Sequence, residues 1–269
     1  MLVIGEKINA SIQPVAEAIA GRDRKFVEDL ARAQAEAGAD FIDVNAGAGK
    51  GTPEDQTASI EWLVDVVGSA TDKPVAVDSD SPAIIEAALG KYRGERLMIN
   101  SVTAEPERLA SIGPLAAKRQ AWLVALAMGA GGIPDNVEQR LAACEVIMNH
   151  LSRLGMAAEQ VFFDPLVLPI AVDSGQGLVT LKTIEEIKSR YPGAKTVMGL
   201  SNVSYGLPNR KLVNRAFLSM AAYAGLDAVI LDPLDAKAMS LAKVADMLIG
   251  KDSYCKAYIR AYRQGTIVD

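Results

Sequence analysis

Short apolar runs alternate with helical stretches eight times along this chain, and nothing else in the sequence constrains the fold as tightly. The runs are Leu2–Ile4 leading into Gly5-Glu6, Phe41–Asn45, Pro74–Asp78, Leu97–Asn100, Trp122–Ala127, Val161–Asp164, Thr196–Met198 leading into Gly199-Leu200-Ser201-Asn202, and Asp227–Asp232. Their length and flanking polar residues read as strands. Between them lie segments with apolar residues at helical spacing. Residues 22–37 place Phe26, Leu30, Ala33 and Ala37 on one face, and Gly38 closes the helix. A Gly-rich loop, 47–51, precedes a helix from Glu54 to Ser69 whose buried stripe is Ile60, Leu63, Val64 and Val67. Ser81-Pro82 reads as an N-cap followed by proline in the first turn, and that helix ends near Gly90. Further helices begin near Glu105-Pro106 and span 136–154, with Leu141, Cys144, Ile147, Met148 and Leu151 inward. The last three cover 178–190, after a longer connection at 165–175, then 209–224 and 236–249. A polar tail follows; its Tyr254, Tyr258 and Tyr262 have the spacing of a packing stripe.

Alternating strands and helices imply parallel pairing through right-handed crossovers. Eight such units in 269 residues point to a (β/α)8 TIM barrel, a single domain over 1–269. A doubly wound open sheet is the other arrangement this order allows. It usually has fewer strands, and no Gly-x-Gly-x-x-Gly follows the first strand here.

Composition then narrows the chemistry. No apolar run approaches the roughly 18 residues of a membrane span. Met1–Glu6 lacks signal-peptide character, so the expected location is cytoplasmic. A net charge of -5 argues against nucleic acid as a partner. The chain holds one histidine, His150, and two distant cysteines, Cys144 and Cys255. A Ser-His-Asp triad would have to use His150, and these residues are a poor set of zinc ligands, so no metal site is expected. His150 reads as a helix-surface or interface residue and Cys144 as core.

In a (β/α)8 barrel the active site lies at the C-terminal ends of the strands. Here those ends are Glu6, Asn45, Asp78, Asn100, Asp164, Asn202 and Asp232. Taken singly, an Asp or Asn at such a place caps a helix or fixes a turn. Converging on one mouth, these carboxylates and amides suit a neutral, flat heterocycle rich in N–H donors. A carboxylate accepts two parallel N–H bonds, and an Asn side chain both donates and accepts. A phosphate ligand would want Arg, Lys or a Gly-rich helix start, which these ends lack.

The run Gly199-Leu200-Ser201-Asn202-Val203-Ser204, continued by Asn209-Arg210 and Asn214-Arg215, resembles the pterin-binding methyltransferases. The resemblance extends over nearly the whole chain. It includes Ile4-Gly5-Glu6-Lys7-Ile8-Asn9, Asp43-Val44-Asn45, Glu61-Trp62-Leu63-Val64, Asp78-Ser79, Met98-Ile99-Asn100-Ser101, Gly132-Ile133-Pro134 and Asp164-Pro165-Leu166. That family carries a methyl group between N5 of tetrahydrofolate and the cobalt of a corrinoid protein. The resemblance implies that Asp78, Asn100 and Asp164 hold the hydrogen-bonding edge of the pterin. It implies that Asn202 reaches N5 and that Gly199 and Ser201 shape the floor beside it. Arg210, Glu6 and Asn9 would lie at the same mouth. Catalysis would rest on Asn202 stabilising a charged N5, with a water relay toward Asp164 supplying the proton. The substrate is then tetrahydrofolate or 5-methyltetrahydrofolate, and the corrinoid is carried by a separate protein, since no Asp-x-His-x-x-Gly motif is present. Homodimerisation is also implied. One departure is Met128-Gly129-Ala130-Gly131-Gly132, less bulky and less polar than the family leads one to expect; it suits a different corrinoid partner or a more mobile loop.

Two other readings stay open. Dihydropteroate synthase shares the barrel and the pterin pocket, but must hold a pyrophosphate leaving group, and its Ser-x-Arg-Pro-Gly loop is missing. A non-catalytic folate-binding protein would need fewer of these residues.

Overall fold

The computed structural model describes residues 1–47 and 52–268; residues 48–51 of the Gly-rich loop lie outside the described residues. Eight parallel strands close into a barrel in sequence order. They are β1 (Leu2–Asn9), β2 (Phe41–Asn45), β3 (Val75–Asp78), β4 (Leu97–Val102), β5 (Trp122–Leu126), β6 (Val161–Asp164), β7 (Lys195–Gly199) and β8 (Ala228–Leu231). Closure rests on β8 pairing with β1, from Leu2 opposite Ala228 to Gly5 opposite Leu231. That pairing removes both sheet edges and excludes the open-sheet alternative.

Ten α-helices appear among the described residues: α1 (Gln13–Ala20), α2 (Arg24–Glu36), α3 (Pro53–Ala70), α4 (Pro82–Lys91), α5 (Pro106–Arg119), α6 (Val137–Arg153), α7 (Gln176–Arg190), α8 (Arg210–Ala224), α9 (Ala236–Leu248) and α10 (Lys256–Arg263). The sequence reading has eight. It misses α1, and it takes α10 for a tail. Tyr254 and Tyr262 are exposed, so the tyrosines are not a packing stripe; Ala261 is the residue α10 buries. On α2 the buried face is Val27, Ala31 and Gln34, one residue on from the expected stripe, and Phe26 is partly exposed. The stripe of α3 is as expected, with Ile60, Leu63, Val64 and Val67 buried. A capping box at Thr52 and Asp55 starts that helix, tying down two of its free N–H groups.

Inside the barrel each strand contributes one residue to an apolar layer: Ile4, Phe41, Ala76, Met98, Val124, Phe162, Val197 and Ala228. Trp122 lies against Phe41 and Phe162 at ring separations of 5.3 and 5.0 Å. Strand side chains alternate with a period of two. Two residues further along each strand, the inward positions are therefore Glu6, Asp43, Asp78, Asn100, Leu126, Asp164, Gly199 and Ile230. The apolar layer is thus the floor on which a mostly polar layer stands. The strand β1 runs on to Asn9, with a register irregularity between Gly5 and Ile8, so Glu6 lies inside the strand rather than at its end.

Candidate functional site

The polar layer is knit by amide-to-carboxylate hydrogen bonds between strands. Asn45 Nδ2 donates to Asp78 Oδ2 at 2.8 Å, joining β2 to β3. Asn100 Nδ2 donates to Asp43 Oδ1 at 3.3 Å, reaching from β4 to β2. Asn45 also turns the chain, since its Oδ1 accepts from Gly47 N at 2.7 Å. With Nδ2 engaged, the side-chain oxygen of Asn100 is left to accept from a ligand. Asp164 Oδ1 accepts from Leu166 N at 2.8 Å, which orients the carboxylate at the end of β6. The inward positions of the first half of the barrel and of β6 are thus carboxylates and amides, interrupted by Leu126 on β5 between β4 and β6, while β8 contributes Ile230.

Crowding carboxyls into this half-wet cup raises their proton affinity. Burial pushes Asp164 up to about 6 against the opposing influence of the Leu166 N–H and the Arg140 charge. Asp43, buried, is raised well above the usual carboxylate range, first by desolvation and then by the charges of Asp78 and Glu6. Asp78 is raised by desolvation and by Asp80, while the Asn45 bond opposes this. Glu6 is raised by desolvation and by Asp232, with Lys7 and Arg210 acting the other way. A layer of this kind can accept N–H bonds and can also hold protons near neutral pH.

The far wall is the β7–α8 connection. Gly199 ends β7, and Leu200–Ser204 form a short 3₁₀ turn. Asn202 is exposed at the rim, and its side-chain amide makes no hydrogen bond to the described residues. It folds over Gly199, where an added Cβ would sit 3.4 Å from Asn202 Nδ2. That is ordinary contact distance, so the amide packs directly over this residue. Arg210 donates to Ser201 O at 2.6 Å and to Ser204 Oγ at 3.1 Å, so it fixes the turn that carries Asn202. Asp232 pairs with Lys7 Nζ at 3.2 Å, and Asn9 Oδ1 accepts from Ser11 N in a tight turn. Both belong to the rim rather than to the cup.

The structure thus gathers Glu6, Asp78, Asn100 and Asp164 into one cup, with Gly199, Ser201 and Asn202 on its edge and Arg210 behind that edge. Asp43 is the inward carboxyl that the strand-end reading overlooks. Its signal was the period of two: Phe41 faces in, so Asp43 and Asn45 do too. Met128–Gly132 form a tight turn, with Gly132 N donating to Gly129 O at 3.0 Å and Ala104 N to Met128 O at 2.8 Å. His150 lies on α6 against Gly113 of α5, away from the mouth. Cys144 is core, as read. Among the described residues no group of His, Cys, Asp or Glu is placed to hold a metal ion.

Against known families, residues 8–232 match the pterin binding enzyme model. The chain belongs to the pterin-binding enzyme family. Among its relatives is the methylcorrinoid:tetrahydrofolate methyltransferase of Eubacterium limosum, 35% identical over 99% of this chain and 98% of that protein. The methionine synthase of Mycobacterium tuberculosis is 30% identical over 86% of this chain, which corresponds to 20% of that longer protein. Among solved structures, the dihydropteroate synthase of Coxiella burnetii in complex with pteroic acid superposes with a TM-score of 0.70 at 16% identity, over 93% of this chain and 94% of that one. At that identity the superposition speaks to the fold, which this pterin-binding family shares. No helix among the described residues is long and apolar enough to cross a membrane.

Proposed function

We propose that this enzyme transfers a methyl group between N5 of tetrahydrofolate and the cobalt of a corrinoid carried by a separate protein. The observation that carries this reading is the end-to-end relationship with a methylcorrinoid:tetrahydrofolate methyltransferase, on a chain whose barrel mouth is a cup of carboxylates and amides. That relative also favours tetrahydrofolate as the methyl acceptor. The same pocket serves the opposite direction, with 5-methyltetrahydrofolate as donor.

In this reading Asp78, Asn100 and Asp164 bind the amino-pyrimidinone edge of the pterin. Asp164 as a carboxylate accepts two N–H bonds, and Asn100 offers its free oxygen. Gly199 and Ser201 shape the floor under the reduced ring, Glu6 lines the mouth, and Arg210 holds the turn that presents Asn202. When tetrahydrofolate is the acceptor, the N5 lone pair attacks the methyl carbon as the Co–C bond breaks. Both bonding electrons stay on cobalt, which becomes Co(I), and N5 releases its proton. In reverse, N5 must be protonated before it leaves, and Co(I) takes the methyl group. The transition state, shared by both directions, carries more positive charge on N5 than either neutral bound folate does. Asn202 Oδ1 accepting from N5–H stabilises that charge where it matters for rate. A water relay toward Asp164 carries the proton, and the raised affinity of that carboxyl suits the task.

A dihydropteroate synthase reaction would need cations free to hold pyrophosphate. At this rim Lys7 is paired with Asp232, and Arg210 is bound to its own turn. One mixture separates methyl transfer from the other two readings. With methylcob(III)alamin and tetrahydrofolate, catalytic protein should convert the cobalamin spectrum to that of cob(I)alamin under anaerobic conditions. An unchanged spectrum in the presence of bound tetrahydrofolate would overturn methyl transfer and leave the dihydropteroate synthase and non-catalytic readings.

The active unit is proposed to be a cytoplasmic homodimer. The outer face of α8 supports the pairing: Leu212, Met220 and Tyr223 lie exposed along it without an intervening charge. Exposed apolar stripes of this kind mark interfaces. Tyr223→Glu combined with Met220→Glu should convert a dimer to a monomer in sedimentation velocity. A wild-type monomer at micromolar concentration would refute the pairing.

A further inference from the structure

Arg140 is the largest fully buried side chain among the described residues, and it makes no ion pair there. It stands in the first turn of α6, where the sequence reads as ordinary helix surface. Its Nε donates to Pro134 O at 3.2 Å. Its Nη1 donates to Pro165 O at 2.7 Å and Leu166 O at 2.9 Å, with a longer contact to Thr180 Oγ1 at 3.4 Å. Its Nη2 donates to Gln176 Oε1 at 2.7 Å. Every acceptor is neutral. A buried guanidinium with no carboxylate in contact is costly unless something nearby balances its charge. The anions whose fields it feels are Asp164 first and Asp135 second.

Leu166 links the two sites. Its φ is +67°, a left-handed conformation that costs an L-residue roughly 1–2 kcal/mol. One end of the residue serves the cup, since Leu166 N donates to Asp164 Oδ1 at 2.8 Å. The other end faces inward, where Leu166 O accepts from Arg140 Nη1 and from Thr180 Oγ1 at 3.0 Å. The reversed turn is therefore held from beneath by Arg140 and used from above by Asp164. Gln176 extends the clamp, donating Nε2 to Asp135 O at 3.3 Å and to Asp173 Oδ2 at 3.0 Å.

We infer that Arg140 is a positioning residue for Asp164: it locks the Pro165–Leu166 turn that orients the carboxylate, and it is the buried cation on the inner side of that turn. The inference rests on the reading of Asp164 as a pterin ligand. The charged and titratable groups of α6 that act on Asp164 are Arg140 and Cys144, and Asp135 in the loop before α6 acts on Arg140. Glu6, Asp43 and Asp78 complete the set on the same cup. Of the neighbours, only Arg140 is cationic and buried.

The test is tetrahydrofolate affinity by titration calorimetry at pH values either side of about 6, with melting curves taken alongside. Arg140→Lys keeps the charge but not the fork of donors. It should lose on the order of tenfold in affinity, the size of one charged hydrogen bond, with its acid limb in place. Arg140→Met loses fork and charge, so its affinity should fall further and its acid limb should move to higher pH. In an Asp164→Asn background neither change should alter affinity by more than about twofold, because the groups act as one unit. If Arg140→Met does not fold, Arg140→Lys alone and with Asp164→Asn decides the matter. Wild-type affinity in Arg140→Lys would overturn the inference. So would a loss that persists undiminished in the Asp164→Asn background, which would mark a general structural role. A wild-type protein that binds no tetrahydrofolate would instead overturn the pterin reading itself, and the inference with it.

Discussion

Asn202→Ala is expected to slow single-turnover methyl transfer roughly 100- to 1000-fold, the usual effect of removing one preorganised group aimed at developing charge. Its effect on tetrahydrofolate affinity should be far smaller. The reason lies in where the amide sits. Asn202 is exposed on the rim and has no side-chain bond to the described residues, so its removal leaves no buried polar group without a partner. Its truncation to alanine therefore has little to disturb in the fold. What it removes is the acceptor for N5–H, a group whose positive charge is larger in the transition state than in either bound substrate. Rapid mixing with methylcob(III)alamin separates the two quantities, because amplitude against tetrahydrofolate concentration reports binding and the rate constant reports chemistry. A rate constant within threefold of wild type (a barrier change of about 0.7 kcal/mol) would remove Asn202 from the chemistry.

Asp164→Asn is expected to act on binding, in addition to interrupting the proton relay. The carboxylate accepts two parallel N–H bonds from the pterin edge, whereas the amide accepts one and turns its own NH2 toward a donor. Breaking a buried, charge-assisted pair costs about 2–4 kcal/mol, or roughly 30- to 1000-fold in affinity. The pH dependence carries the more specific signature. Burial raises the Asp164 carboxyl to about 6, so at lower pH it is protonated and can accept only once. Wild-type affinity should therefore fall as pH drops through about 6, where this group titrates. The Asn variant should lack the part of that limb due to residue 164, leaving the part due to Asp78, whose proton affinity burial also raises. Isothermal titration across this range gives both the loss and the limb. An unchanged limb in Asp164→Asn would show that another carboxyl gates binding.

Much of this site was legible in the sequence, for a physical reason. In a closed parallel barrel the strands are covered on both faces, so they read as compact apolar runs. The residue that breaks each run then falls at the mouth. Asp78, Asn100 and Asp164 announce themselves that way. Asp43 does not, because it sits two residues inside β2 and looks like an interruption of a strand rather than its end. Arg140 is harder still. An arginine in a helix is by default a surface residue, and only the packed connections after β5 and β6 reveal that its guanidinium is enclosed. The α2 stripe was misplaced by one residue because Phe26, Leu30, Ala33 and Ala37 fit a helical period as well as Val27, Ala31 and Gln34 do. Packing against β1 and β2 decides between them, and Gln34 is favoured because its side-chain oxygen accepts from Lys7 N at 3.0 Å. The helix α10 was missed because it buries little more than Ala261 and most of its other side chains are charged or aromatic.

The most direct test follows the methyl carbon itself. Purified protein, methylcob(III)alamin carrying a labelled methyl group and tetrahydrofolate are mixed without oxygen, and the folate fraction is separated and counted. The label should appear on N5 of tetrahydrofolate in an amount matched by the cob(I)alamin formed, at a rate that rises with protein concentration and collapses in Asn202→Ala. Label that stays on cobalt, while calorimetry shows tetrahydrofolate bound, would contradict methyl transfer as the function of this cup.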